Sequence, residues 1–354
     1  MQSLSAGCGC SILPPDLLRR IARNGSSRQR DDALATLGVD HTLRLARVTY
    51  DLLDARTGRG LFGITGAGKQ RSVYDAHGTE TLPGRMVRAE GAAAVADVEV
   101  NEAYDGLGAT YDFYADVYDR NSIDDAGMHL DATVHYGRRY DNAFWNGRQM
   151  VFGDGDGDLF NRFTISLDVI GHELTHGVTG DEAKLVYLGQ AGALNESISD
   201  VFGSLVKQYA LKQTADAADW LIGAGLFTAK VHGVALRSMK APGTAYDDPV
   251  LGRDPQPATM DGFVHTSADD GGVHTNSGIP NYAFYLLAVA LGGYAWEKAG
   301  RIWYETLRDR RLKPTATFRQ FARLTALNAD HLFGKSERAA VVSAWAEVGV
   351  KANS

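Results

Sequence analysis

Two histidines lie four residues apart in the segment HELTH, which runs from His172 to His176. Residues at i and i+4 face the same side of an α-helix, so the two imidazoles can bind one metal ion. Val169 and Leu174 are apolar, which indicates that this helix packs against the protein interior. Glu173 lies beside the first histidine, where its carboxylate can hydrogen-bond a metal-bound water instead of the metal. A pattern of five residues also occurs by chance, so a further ligand has to support it.

A long helical pattern supplies the third ligand that a catalytic zinc site requires. Its apolar face carries Leu194, Ile198, Val201, Phe202, Leu205 and Tyr209. Glu196 lies on this helix, and Asp200 follows one turn later, where it can accept a hydrogen bond from a zinc-binding histidine. A solvated acidic face is the alternative, but the apolar composition of both helices favours the metal site. The sequence therefore predicts zinc bound by His172, His176 and Glu196.

Composition and charge exclude several classes of partner. The formal net charge of −7 argues against nucleic acid and against an anionic membrane surface. No run of about 18 apolar residues is present, so no membrane-spanning helix is expected. The N-terminus lacks the basic and apolar regions of a secretory signal peptide. Cys8 and Cys10 are the only cysteines and are poorly placed to pair with each other, which predicts a disulfide-free body and fits cytoplasmic synthesis.

The pattern of the sequence changes twice along the chain. Residues 1–65 combine a short helical pattern with a strand-like piece over 43–53, and a glycine-rich joint follows. Residues 70–165 are mostly strand-like around one helix at 98–118. Further helices are expected near 281–291, 296–310, 316–328 and 337–348. This order predicts an α+β protein in which a helical half follows a β-rich half.

Further motifs resemble the thermolysin family of neutral metalloproteases and occur in the expected order. They are NAFWNG at 142–147, Tyr187, LRSM at 236–239 and GGVHTNSG at 271–278. With the zinc pattern, the resemblance covers nearly all of residues 70–350. It implies a thermolysin-like two-domain fold, with a β-rich N-terminal domain at 66–180 and an α-helical C-terminal domain at 181–354. The zinc helix would form the floor of the cleft between them.

The resemblance implies the mechanism of a zinc endopeptidase with one catalytic ion. Glu173 would act as general base towards the attacking water and would return the proton to the leaving amine. His274 and Tyr187 would donate hydrogen bonds to the oxyanion that forms on the substrate. Asp269 would orient His274, and Asp200 would support a zinc-binding histidine.

The resemblance also implies how a peptide substrate binds. Asn142 and Arg237 would bind backbone groups on either side of the scissile bond. The pocket for the residue after that bond would be lined by Phe160, Phe163, Val169 and Leu236. All four side chains are apolar, so an apolar substrate residue is expected there.

The calcium pattern departs from the family. The family's double-calcium site uses acidic residues beside the zinc helix, and Asp168 and Asp219 match two of them. Lys207, Leu221 and Ala224 stand where further acids would be. An ammonium group there repels a cation and can itself neutralise the remaining carboxylates. Calcium is therefore not expected at this site.

The first 65 residues are predicted to be a propeptide, with a boundary between 50 and 70. Residues 10–18 resemble the short propeptide of protealysin-like precursors, with Asp16 inserted into a Pro-Pro-Leu motif. The resemblance implies that this segment packs on the catalytic domain, blocks the cleft as an intramolecular inhibitor and is removed by self-cleavage. A disordered tail is the alternative. A further hypothesis is that Cys8 or Cys10 binds the zinc of the precursor as a thiolate.

Two other functions share parts of this pattern. An aminopeptidase would need an acidic motif for the free N-terminus of its substrate, such as Gly-x-Met-Glu-Asn upstream of the zinc helix, and none is present. A regulatory protein with a permanent N-terminal plug would need no catalytic residues, yet every expected position, including Glu173, is intact. The family expectation is a monomer that acts on peptides or proteins. It would be secreted or released, with a cytoplasmic precursor.

Other polar segments are predicted to be structural. Residues 154–158 (DGDGD) resemble a calcium loop, but the glutamate that an EF-hand needs at its twelfth position is replaced by Ile165. This segment is therefore predicted to be an acidic turn. His129, His135 and His265 have no partner at metal-binding spacing, so structural or surface roles are expected for them.

Overall fold

The computed structural model describes residues 11–57 and 68–352, and between 44 and 57 it gives the backbone alone. Two helices lie at the beginning of the chain, α1 (Pro15–Asn24) and α2 (Ser27–Thr57). Residues 11–57 are called the N-terminal segment below. Its buried apolar side chains, which join the main hydrophobic core, are Ile12, Leu13, Leu17, Leu18, Ile21 and Ala33.

The strand predicted over 43–53 is wrong, because this stretch belongs to α2. Residues 39–57 contain no glycine or proline and are rich in Leu, Ala and Arg, which favour a helix. The local alternation of polar and apolar residues suggested a strand. These residues instead continue the helix that begins at Ser27. The predicted cleavage region at 50–70 lies partly outside the described residues. The hypothesis that Cys8 or Cys10 binds zinc lies wholly outside them.

A five-stranded sheet forms the centre of the β-rich half. Its strands are β1 (Arg71–Asp75), β2 (Arg85–Ala89), β3 (Leu130–Val134), β4 (Ala143–Trp145) and β5 (Gln149–Phe152). The spatial order is β2-β1-β3-β5-β4, with parallel pairs β1–β3 and β3–β5 and antiparallel pairs at both ends. Helix α3 (Val98–Tyr118) packs on this sheet, and Asp97 caps its first turn. Strand β4 is therefore an edge of the sheet.

Helices dominate the second half, as predicted. Two long helices come first, α4 (Leu167–Asp181) and α5 (Gly189–Leu211). The later helices are α6 (Asp269–Asn276), α7 (Gly278–Leu291), α8 (Ala299–Leu307), α9 (Phe318–Leu332) and α10 (Lys335–Glu347). Among the residues that the structure describes, no helix is both long enough and apolar enough to cross a membrane.

The two long helices α4 and α5 cross at a pair of glycines. A Cβ added at Gly203 would collide with the backbone oxygen of Asp168 and would lie 2.9 Å from the backbone nitrogen of His172. A Cβ at Gly171 would lie 3.1 Å from Cα of Gly203. Glycine is therefore required for this close approach, which places the side chains of α5 against the histidines of α4.

Candidate metal centre and substrate cleft

His172, His176 and Glu196 converge on one buried point between α4 and α5. The two Nε2 atoms are 3.1 Å apart. Oxygens of Glu196 lie 3.5 Å from Nε2 of His172 and 3.4 Å from Nε2 of His176. Ligands of a tetrahedral zinc ion are separated by roughly 3.3 Å, given zinc–nitrogen bonds of about 2.0 Å. The separations therefore fit one zinc ion held by the three predicted ligands.

The other ring nitrogens of both histidines are held by buried acceptors. Nδ1 of His172 lies 2.8 Å from Asp200, and Nδ1 of His176 lies 2.9 Å from Oδ1 of Asn195. A proton on each Nδ1 leaves the Nε2 lone pairs facing each other, which is unfavourable unless a cation lies between them. Oε2 of Glu196 is also buried and accepts no hydrogen bond from the described residues. The donor set thus fits a metal ion.

Glu173 faces the same space from the adjacent position on α4. It is fully buried, and its Oε2 accepts a hydrogen bond of 3.0 Å from the backbone nitrogen of Trp145 at the end of β4. This contact ties the edge of the sheet to the zinc helix. The carboxylate consequently lies beside the ligand set without belonging to it.

Tyr187, His274 and Asp269 form the opposite wall of the site. Nε2 of His274 lies 3.2 Å from the hydroxyl of Tyr187 and 3.4 Å from Glu196. Asp269 accepts from Nδ1 of His274 at 2.7 Å and from its backbone nitrogen at 2.9 Å. Burial opposes a charge on His274, but the carboxylates of Asp269 and Glu196 outweigh it and raise the pKa of this histidine to about 9. The arrangement presents hydrogen-bond donors towards the ligand set.

The N-terminal segment enters the cleft through Ser11, Ile12 and Leu13. The carbonyl oxygen of Ser11 lies 3.3 Å from Nε2 of His274. The backbone nitrogen of Ile12 donates to the carbonyl of Ala143 at 3.1 Å, and its carbonyl accepts from Arg237 at 3.2 Å. The backbone nitrogen of Leu13 donates to Oδ1 of Asn142 at 3.0 Å. Asn142 and Arg237 therefore bind peptide backbone groups, but those groups belong to this chain itself.

Both halves of the chain match models of one peptidase family. The model of the thermolysin metallopeptidase catalytic domain matches residues 36–180, and that of the thermolysin metallopeptidase alpha-helical domain matches residues 183–350. This chain belongs to the thermolysin family. It is 53% identical over 342 residues to an extracellular metalloprotease of Pectobacterium carotovorum subsp. carotovorum, with 97% of this chain and 96% of that protein covered. It is 52% identical to protease PrtS of Photorhabdus sp. (strain Az29), with 96% and 92% covered.

A solved structure supports the same family membership. The precursor of protealysin, a metalloproteinase from Serratia proteamaculans, is 56% identical and superposes with a TM-score of 0.88. The match covers 96% of this chain and 99% of that one. The predicted thermolysin-like α+β fold is thereby confirmed, and so is the prediction of a metalloendopeptidase. Within this family, the cluster of His172, His176 and Glu196 implies zinc as the metal.

The four apolar residues that were predicted to line the substrate pocket of this thermolysin-family chain are all buried. They are Phe160, Phe163, Val169 and Leu236, and all belong to the main core. The rings of Phe160 and Phe163 lie 5.9 Å apart. Ile12 and Leu13 of the N-terminal segment belong to the same core cluster.

Several contacts that hold the site together were missed in the sequence, namely the pairing of Asp200 with Arg237 and the contacts of Asn195, Ser199 and Asn281. Asp200 accepts hydrogen bonds from Nε and Nη2 of Arg237, at 2.9 and 2.8 Å, and from the side chain of Asn281 at 2.9 Å. Burial opposes ionisation of Asp200, but Arg237 and His172 outweigh it and hold the pKa of this carboxyl well below its usual range. On α5, Ser199 lies 3.0 Å from Nδ1 of His176. Ser199 lies one helical turn after Asn195, so helical spacing could have predicted that both contact the same histidine. Asn281 lies far away in the sequence, where spacing gives no such signal.

Lys207 occupies the position that the thermolysin-family calcium pattern gives to an acid. Its ammonium nitrogen lies 2.7 Å from Asp168, 2.9 Å from Asp219 and 2.8 Å from the carbonyl oxygen of Leu221. Burial disfavours the charge of Lys207, but the two carboxylates outweigh it and raise its pKa. The predicted neutralisation of both carboxylates by this lysine is therefore present.

His135 follows β3 and forms a separate cluster with Asp97, Glu99 and Asp154. His135 lies 2.8 Å from Asp97 through Nε2 and 3.0 Å from Asp154 through Nδ1. Hydrogen bonding to Asp154 and Asp97 raises the pKa of His135 to about 10, so both ring nitrogens carry protons at neutral pH. This is the structural role predicted for His135. In the neighbouring turn, Asp156 accepts three backbone hydrogen bonds, from residues 158, 159 and 160, which confirms an acidic turn.

Proposed function

We propose that this protein is a self-processing zinc endopeptidase that hydrolyses peptide bonds before an apolar residue. The observation that carries the proposal is the position of Glu173, which is buried beside three convergent zinc ligands and opposite the donors of His274 and Tyr187. A zinc ion bound there would polarise the scissile carbonyl and acidify a water molecule. The remaining steps depend on the side chains of the chain itself.

Glu173 would take a proton from the attacking water and deliver it to the leaving amine. His274 and Tyr187 would donate hydrogen bonds to the oxyanion that develops on the substrate carbonyl, each contributing about 3 kcal/mol to transition-state stabilisation. Asp269 would hold the imidazole of His274 in position, and Asp200 would hold both a metal-binding histidine and Arg237. Removal of the Asp269 carboxylate is expected to lower kcat more than it raises KM, because it acts through His274 on the transition state. Removal of the Asp200 carboxylate is expected to raise KM as well, because it also releases Arg237.

Substrate peptides would bind as the residues of the N-terminal segment bind. Asn142 accepts from one backbone nitrogen and Arg237 donates to one backbone carbonyl, which supports their proposed roles. The buried cluster of Phe160, Phe163, Val169 and Leu236 supports a preference for an apolar residue after the scissile bond.

The precursor would be latent until the N-terminal segment is removed by a cut between residues 50 and 70. The presence of Ser11, Ile12 and Leu13 in the cleft supports this inhibition. We further propose domain limits of 66–180 and 181–354, a monomeric enzyme, and no calcium requirement at Lys207. Release to the exterior is proposed because the relative from Pectobacterium is named an extracellular metalloprotease.

The test is a time course of purified wild type and Glu173→Ala. It follows intact mass, zinc content and hydrolysis of a blocked peptide that contains a Gly-Leu bond. Wild type is expected to lose about 50–70 residues, the predicted propeptide, and to gain peptidase activity, while the zinc-loaded variant does neither. Wild type that binds zinc but stays inert, even after trypsin has removed the N-terminal segment, would instead indicate a permanently plugged regulatory protein.

A further inference from the structure

The Ser11–Ile12 peptide bond lies where a substrate bond would be cut. Its carbonyl oxygen is 3.3 Å from Nε2 of His274, and that same nitrogen is 3.4 Å from the metal ligand Glu196. Its nitrogen, on Ile12, donates to the carbonyl of Ala143 on strand β4. The carbonyl end of this bond thus contacts the wall that carries the oxyanion donors. Its nitrogen end contacts β4, the strand that is hydrogen-bonded to Glu173.

The chain direction through the cleft is fixed by two further contacts. Arg237 donates to the carbonyl of Ile12 at 3.2 Å, and Asn142 accepts from the nitrogen of Leu13 at 3.0 Å. The residues after the Ser11–Ile12 bond therefore use the two groups proposed to bind the substrate backbone. The segment also contacts β4 at the free edge of the sheet, through the single hydrogen bond from the backbone nitrogen of Ile12 to the carbonyl of Ala143.

The side chains in this register are all buried. Ile12 and Leu13, which follow the bond, are completely buried in the main core, and Ser11 before it is small and also buried. Pro14 precedes the first turn of the next helix, and α1 begins at Pro15. This register thus covers only the residues that adjoin the Ser11–Ile12 bond.

We propose that the enzyme hydrolyses its own Ser11–Ile12 bond, so that the N-terminal segment is both its inhibitor and its first substrate. This inference rests on the proposed peptidase function. One water molecule is consumed, the C–N bond between Ser11 and Ile12 breaks, and the products are a carboxylate on Ser11 and an ammonium group on Ile12. Residues 1–11 leave, while Ile12 remains attached to α1 and α2.

This cut does not activate the enzyme. The new N-terminus at Ile12 stays in the cleft because Leu17, Leu18 and Ile21 of α1 remain buried against the catalytic part. Activation then requires the separate cut near residues 50–70, after which the segment can dissociate. The order of events is therefore an early loss of 11 residues without activity, followed by a later loss of the rest with activity.

The experiment uses full-length zinc-loaded protein and records intact mass and the N-terminal sequence from the first minutes onwards. Wild type is expected to yield a species that begins at Ile12 before any activity on a blocked peptide appears. Ile12→Asp, which places a charge at a completely buried position, is expected to lower the yield of this cut at least tenfold. Leu34→Ala, at an exposed position on α2, is the matched control and should cut like wild type.

A second measurement does not depend on activity. In the Glu173→Gln chain, amide hydrogen exchange at Ile12 and Leu13 is expected to be slow, because both amides donate to the catalytic part, and Asn142→Ala should speed exchange at Leu13. Fast exchange at both amides would overturn the register. A sample that hydrolyses the blocked peptide but never yields Ile12 as its N-terminus would overturn the self-cleavage and leave the proposed function standing. A sample that does neither, even after trypsin, would overturn both.

Discussion

At the scale of single residues, Lys207 balances the charge of two carboxylates beside the zinc helix. Its ammonium group is mostly buried and contacts the carboxylates of Asp168 and Asp219 together with a carbonyl oxygen. These are the types of oxygen ligand that calcium prefers. A covalently attached cation thus balances both carboxylates, which supports the proposal that this site needs no calcium.

We expect Lys207→Met to lower the free energy of unfolding by about 3 kcal/mol, because it leaves the buried Asp168 without its charge partner. Thermal unfolding of wild type and variant, with and without added calcium, measures this effect. The double variant Lys207→Met/Asp168→Asn should recover much of the loss, since no buried charge remains. A wild-type midpoint that rises with calcium would contradict the proposed calcium independence of this site.

At the scale of elements, the crossing of α4 and α5 sets the geometry of the metal site. Gly171 and Gly203 meet at this crossing, and any side chain at Gly203 would collide with the backbone of α4. The zinc ligands lie on both helices, so a change in the helix separation changes the distances between ligands. Close helix packing and metal affinity are therefore coupled.

Gly203→Ala is expected to destabilise the protein by about 3 kcal/mol through overpacking and to weaken zinc binding at least tenfold. Gly180→Ala is the matched control, because Gly180 lies on α4 with open space around it and alanine favours a helix. Zinc titration and thermal unfolding of both variants make the comparison. Equal zinc affinity in the two variants would show that the crossing does not control the metal site.

Helix α2 meets the catalytic part through an acidic interface. Asp32, Thr36 and Asp40 lie on one face of the helix and contact residues 139–142, with Arg139 paired to Asp32 at 2.8 Å. Asp141 is buried there, and burial together with Asp156 and, to a lesser degree, Asp32 raises the pKa of its carboxyl well above its usual range. The pKa of Asp32 is also raised, mainly by burial and by the charge of Asp156. Arg28 lowers this pKa, whereas Asp31 and Asp158 raise it further. Docking of α2 should therefore favour protonated Asp141.

The sign of the pH dependence follows from the raised pKa of Asp141. Docking is stabilised at low pH, where Asp141 is protonated, and this stabilisation is lost as the pH rises through the pKa of the docked state. In the Glu173→Gln chain, amide protection of residues 27–43 should fall with rising pH, by up to about tenfold per pH unit for one proton. Asp141→Asn should remove most of this dependence. Asp131→Asn, at another carboxyl with a raised pKa, should keep it, and an unchanged slope in Asp141→Asn would refute the assignment.

At the scale of the whole molecule, the N-terminal segment is part of the hydrophobic core. Its buried residues Leu17, Leu18 and Ile21 belong to the same apolar cluster as the sheet and the helical half. Polar contacts add to this docking, including Arg20 to the carbonyl of Arg253 and Gln29 to Asp158. The proposed latency would therefore depend on this buried surface in addition to the residues in the cleft.

Leu17→Ala is expected to weaken docking by about 3 kcal/mol, which is a factor of about 100 in the docking equilibrium. The lag before peptide hydrolysis should shorten accordingly. Leu34→Ala, on the exposed face of α2, should leave the lag unchanged. If both variants activate at the wild-type rate, docking of α1 does not limit activation.

The metal site could be predicted from the sequence because its determinants are local. His172 and His176 are one helical turn apart, and Glu196 and Asp200 are one turn apart on the next helix. Helical spacing fixes which side chains share a face before any tertiary contact forms. The family motifs then supplied the candidate roles of Tyr187 and the other cleft residues.

Contacts between distant segments were decided only by the tertiary structure. The strand expected over 43–53 became a helix, because propensity continued from α2 and the alternating pattern was too short to overrule it. Asn281 reaches Asp200 from another helix, and Ser11 reaches His274 from the far end of the chain. Such contacts depend on how elements pack, and neither periodicity nor spacing encodes that packing. The sequence by itself determined which chemistry is possible here, and packing decided which segment occupies the cleft.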